Sequence, residues 1–98
     1  MSSSSLMIEI DCPPGATRPG HYFANIFQSL TTSDNEKISE YANQNKNKSP
    51  ISTKFGNWEW ILEFTEDQME IKTIIKNHFI KELTSLYNGG AIRYASWN

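Results

Sequence analysis

Residues 58–64 read Trp-Glu-Trp-Ile-Leu-Glu-Phe. Trp58, Trp60, Leu62 and Phe64 fall on one side of a period-two chain, and Glu59, Ile61 and Glu63 fall on the other. A strand with one buried face requires this alternation, because its successive side chains point to opposite faces. A helix would scatter the four large side chains around its circumference. The chain must therefore build a sheet and supply a cover for its aromatic side. A second run obeys the same rule near the start. Leu6, Ile8, Ile10 and Cys12 share one face, and Met7, Glu9 and Asp11 share the other. Pro13-Pro14-Gly15 ends that strand, since proline cannot donate to a ladder.

Helical stripes between and after these runs supply the cover. Tyr22, Phe23, Ile26, Phe27 and Leu30 recur at three- and four-residue spacing. Ser33 with Glu36 has the pattern of a capping box. It predicts a second helical piece over about Asp34 to Asn43, with Ile38 and Tyr41 turned inward. The polar stretch Asn43 to Ser49 reads as an exposed loop. Ile51, Thr53 and Phe55 then alternate with Ser52 and Lys54. Gly56-Asn57 joins them to the aromatic run as a two-residue hairpin turn. Thr65 and Gln68 cap the best helical stripe in the chain, Ile71, Ile74, Ile75, Phe79, Leu83 and Leu86. Asn88-Gly89-Gly90 stops that helix. Ile92 and Tyr94, alternating with Ala91, Arg93 and Ala95, predict a last strand running to Trp97.

The resulting order is β-α-β-β-α-β, that of the split βαβ or ferredoxin-like arrangement. The expected fold is α+β, with two main helices on one face of a four-stranded, mainly antiparallel sheet. The first and third strands are expected side by side at its centre. Ninety-eight residues suffice for one domain. It is expected over residues 6–98, with residues 1–5, serine-rich, as a flexible leader.

Composition narrows the function. Nine Lys+Arg against eleven Asp+Glu give a net charge of −2, the opposite of a strongly basic nucleic-acid binder. No apolar run approaches the roughly 20 residues of a membrane span, and the N-terminus lacks the basic start and apolar stretch of a signal peptide. The single cysteine, Cys12, excludes an internal disulfide framework and suits a reducing cytoplasm. The expected location is cytoplasmic. Walker, G-x-G-x-x-G, G-x-S-x-G and H-E-x-x-H motifs do not occur. His21 and His78 do not make a triad with Cys12 by spacing. No catalytic, cofactor-binding or metal-ligating residue is expected. RNA-recognition domains share the element order, but they stack bases on aromatics that point out of the open face. Here the aromatics take the inward register, and the outward neighbours are acidic.

With the aromatic side covered by helices, the open sheet face carries Met7, Glu9 and Asp11 from one strand and Glu59, Ile61 and Glu63 from another. Apolar residues rimmed by charge are an interface pattern. The expected function is a small non-enzymatic interaction module, a regulator or inhibitor of phage or mobile-element type. It would dock this acidic face, with Arg18 in the adjoining loop Pro13 to Gly20, onto a basic surface of a partner protein. The alternative is a nucleic-acid-binding ferredoxin-like domain that uses Arg18, Lys46, Lys48, Lys54 and Arg93. An edge strand, 51–55 or 92–97, could also pair with a second copy.

Overall fold

The computed structural model describes residues 3–15, 18–54 and 56–98. Its elements are β1 (Ser3–Asp11), α1 (Pro19–Thr31), α2 (Glu36–Asn45), β2 (Ile51–Ser52), β3 (Trp58–Thr65), α3 (Met69–Asn88) and β4 (Tyr94–Trp97). A single 3-10 turn, Glu66–Gln68, leads into α3. The strands form one open antiparallel sheet in the order β2-β3-β1-β4, with β1 and β3 at its centre. The fold is α+β, with three helices among the described residues.

The sheet buries the face predicted from its alternation. Leu6, Ile8 and Ile10 of β1 and Trp60, Leu62 and Phe64 of β3 are buried. Phe23, Ile26, Phe27 and Leu30 of α1 join them, with Ile38, Tyr41 and Ala42 of α2 and Ile71, Ile75, Phe79 and Leu83 of α3. Each large apolar side chain buried this way contributes about 1.5–3 kcal/mol. Two aromatic stacks tie the layers together. Phe23 lies on Trp60 with ring centroids 4.7 Å apart and planes 3° from parallel, and Tyr41 lies on Phe64 at 4.5 Å and 9°. The Tyr41 hydroxyl donates to the Glu63 carbonyl at 2.8 Å. Burial, then the Glu63 charge, pushes its ionisation far above the usual tyrosine range, so it stays a neutral donor.

Several expectations need correction. Ser3–Ser5, expected to be flexible, are strand residues of β1: they pair with Thr65, Phe64 and Glu63, because the long β3 offers them a ladder. Met1 and Ser2 lie outside the described residues. The predicted second helical piece is present as a separate helix, α2, beside the two main helices, and hydroxyls at the end of α1 take up its last carbonyls. Thr31 donates to Gln28 O at 2.7 Å, and Thr32 to Ser29 O at 3.4 Å. A fresh cap then opens α2, and it is Asn35 rather than Ser33. The Asn35 side chain accepts from Lys37 N and Ile38 N, while Ser33 Oγ accepts from Asn35 N at 3.2 Å.

The hairpin loop is also longer than two residues. Thr53 N bonds Asn57 O at 2.8 Å, Gly56 N bonds Thr53 O at 3.1 Å, and Gly56 takes φ +84°. Phe55, expected in the strand, lies outside the described residues. Trp58, assigned to the buried run, is 36% exposed at the strand's outer end, and Ile74 is 39% exposed.

The stop of α3 falls within the expected Asn88-Gly89-Gly90. Gly90, at φ +82°, supplies the left-handed turn, while Ala91 N bonds Leu86 O and Gly90 N bonds Tyr87 O. These two bonds are those of a Schellman motif. The last strand is out of phase with its prediction. Ala95 and Trp97 pack against the core, and Tyr94 is 45% exposed. Arg93 N donates to Asp11 O at 2.7 Å although Tyr94 is the residue paired with Asp11. Two residues thus meet one, as in a β-bulge, and the alternation resets.

Candidate functional site

The open face can be read as rows across the sheet. One row runs Ile51, Glu59, Glu9, Ser96 through β2, β3, β1 and β4. The next holds Ile61, Met7 and Asn98, the last joined to Met7 by backbone bonds of 3.0 and 2.9 Å. Beyond it Glu63 faces Ser5, and on the other side Asp11 faces Tyr94. Six of the seven residues singled out from the sequence therefore lie on one face, on neighbouring strands.

The register sharpens their chemistry. Met7 exchanges both of its backbone bonds with Asn98, on the β4 side. Alternate residues of β1 thus aim their main chain at β4, and Ile8 and Ile10 aim theirs at β3. Glu9–Glu59 and Met7–Ile61 are then the non-hydrogen-bonded pairs of β1 and β3, in which opposite side chains come closest, about 4.5–5.5 Å between Cβ atoms. Like charges directly opposite on a sheet are in general destabilising. One of the two carboxylates has a local partner, since the Asn57 amide donates to Glu9 Oε2.

The four carboxylates are not equivalent. Asp11 forms a 2.7 Å ion pair with Arg93, the side chains 25% and 55% exposed. Its charge is largely matched, which leaves Glu9, Glu59 and Glu63 as the acidic part of the face. Met7 and Ile61 are half-buried beside them, and Ile51 at the edge is 54% exposed.

Arg18 stands apart from this face. It is the exposed residue preceding α1, and its carbonyl accepts from His21 N at 2.9 Å. With Gly20, His21, Pro50 and Trp58 it lines a cleft of about 550 Å³. Trp58 has the register of the helix-covered side, so the cleft opens there rather than among the carboxylates. The cations of the alternative reading are likewise spread out. Arg93 adjoins β4 and is paired with Asp11, while Lys54 follows β2, at the opposite edge of the sheet.

One contact escaped the sequence. Ser29 Oγ lies 2.9 Å from His78 Nε2, in a groove between α1 and α3 that Glu82 also lines. The same hydroxyl lies 2.7 Å from the Ile26 carbonyl, which competes with the imidazole for its single proton. Only docking of the two helices, which brings together residues forty-nine apart in the chain, could have revealed this contact.

Cys12 is half-buried. Burial first, then the Asp11 charge, raises its thiol above the ordinary value, against a lowering effect of Arg93. It stays a thiol at neutral pH and makes a poor nucleophile. Among the described residues no three His, Cys, Asp or Glu side chains gather as metal ligands. No described helix is long and apolar enough to cross a membrane. Compared with known proteins, the chain matches no family model, no curated protein and no solved structure.

Proposed function

We propose that the chain is a ferredoxin-like interaction module that docks its open sheet face onto a basic surface of a partner protein, as a small regulator or inhibitor would. The observation that carries this reading is the Glu9–Glu59 pair. A like-charge pair in the closest register of the sheet lowers stability, and a lysine or arginine from a partner would relieve it. Met7, Ile61 and Ile51 beside the pair offer apolar area, and Glu63 extends the acidic rim. Charged neighbours of this kind steer association and select partners by sign. Arg18 lies outside this face and drops out of its contact set.

A second reading rests on the Arg18 cleft. A guanidinium and an imidazole beside the exposed indole of Trp58 are groups that hold a phosphate and stack a base. Affinity capture with and without nuclease separates the two, using wild type and the double variant Glu9→Lys/Glu59→Lys. A protein partner retained after nuclease and lost in the variant supports face docking. A partner seen only with nucleic acid and indifferent to the variant overturns it in favour of the cleft.

A further inference from the structure

The two edges of the sheet are built differently. β2 is two residues long, follows Pro50 and precedes Lys54. Shortness, proline and lysine are all devices that keep an edge from pairing. β4, Tyr94-Ala95-Ser96-Trp97, has no charge, no proline and four residues of ladder. Tyr94, Ser96 and Asn98 direct their main chain toward β1, as the Met7–Asn98 bonds establish. Ala95 and Trp97 therefore direct theirs outward. The surroundings of this edge are aromatic. Tyr87 is 50% exposed and Tyr94 45%. With Leu83, Thr84, Ala95 and Trp97 they line a groove of about 180 Å³ at the edge. Ile80, Thr84 and Tyr87, spaced four and three residues apart, form an uncharged stripe on α3.

We propose that this edge joins two copies of the chain, β4 against β4, antiparallel about a two-fold axis at Ser96. The outward groups of Ala95 then bond those of Trp97 in the partner copy, and the reverse. On the helix side each indole meets the small Ala95 methyl across the seam. On the open side serine meets serine. No charged side chains face each other in this ladder, because Tyr94, Ala95, Ser96, Trp97 and Asn98 are all uncharged. An isologous contact needs this self-complementarity. The open face lacks it, since stacking two copies there would bring Glu9, Glu59 and Glu63 against themselves. Charge thus assigns self-association to the edge and leaves the acidic face of each copy free, on the same side of one continuous sheet.

Sedimentation equilibrium of the full chain, up to about 100 µM, tests this assignment. Ala95→Pro removes an outward amide without touching the bonds to β1. Tyr87→Lys places a charge on the α3 stripe at an exposed position. The wild type is expected at twice the chain mass, with each variant dissociating at least about tenfold more readily at an unchanged far-ultraviolet circular dichroism spectrum. If Ala95→Pro fails to fold, Tyr87→Lys decides. A wild type at monomer mass throughout overturns the proposal. So does a dimer undiminished in a folded variant, or one dissolved by Glu9→Lys instead.

Discussion

The two faces of the central strands differ in nearly everything except their backbone. Leu6, Ile8, Trp60 and Leu62 are at most 1% exposed. Met7, Glu9, Glu59 and Ile61, one residue away in each case, are only half-buried. The covered face holds the fold together, and the residues on it answer to packing. The open face is relieved of that duty and can retain an arrangement, such as Glu9 opposite Glu59, that packing alone would select against. Where a strand tolerates a local cost on its free side, the free side is where function is to be sought.

The sharpest test of this contrast uses adjacent residues. Leu62→Ala should cost about 2–5 kcal/mol in denaturant unfolding, and Ile61→Ala under about 1 kcal/mol. Equal costs would break the distinction between the faces. Trp60 sharpens it further. Its indole nitrogen is buried and has no hydrogen-bond partner among the described residues. Trp60→Ala should cost about 3–5 kcal/mol, but Trp60→Phe under about 1.5 kcal/mol, because phenylalanine keeps the stack on Phe23 and removes the unmatched donor.

Smaller effects belong to the open face. Arg93→Ala should cost at most about 1 kcal/mol, and less with added salt, since its pair with Asp11 is partly exposed. Glu59→Gln should instead stabilise the domain by about 0.2–1 kcal/mol, with the Asn57–Glu9 bond left intact, and salt should shrink the gain. A loss of stability there would mean the acidic pair is structural. The smallest effect is at the boundary between the faces. Cys12, with its raised thiol, should react with iodoacetamide at neutral pH more slowly than free cysteine, and Asp11→Asn should speed it modestly. A raised folded value also means that stability is full below the ordinary thiol pKa and declines as pH rises through the folded one. An alkaline melting series on wild type and Cys12→Ala checks that sign.

Much of the fold was legible because strands with one wet face advertise it. The alternation in 6–12 and 58–64 predicted the buried residues of both central strands, missing that Trp58 and Cys12 lie too near the strand ends to be fully covered. Helical stripes named most of the inward side chains of α1, α2 and α3, and erred at Ile74, where periodicity is satisfied but no neighbour arrives. The serines at 3–5 could not be read at all, since nothing in their side chains predicts a strand. They are extended because Glu63, Phe64 and Thr65 lie alongside. The last strand was misphased for a similar reason, as its bulge at Arg93 is set by a carbonyl of β1.

The candidate site divides in the same way. Period-two patterning by itself determined which side chains face outward on each strand, because the geometry of an extended chain is local. It could not say that Glu9 lies opposite Glu59, that Asp11 is matched by Arg93, or that Arg18 faces a cleft with Trp58 instead of the carboxylates. Nor could it tell the protected edge from the open one. Register, pairing and edge identity depend on which strands become neighbours, and that is decided by how the three helices and the sheet share one core.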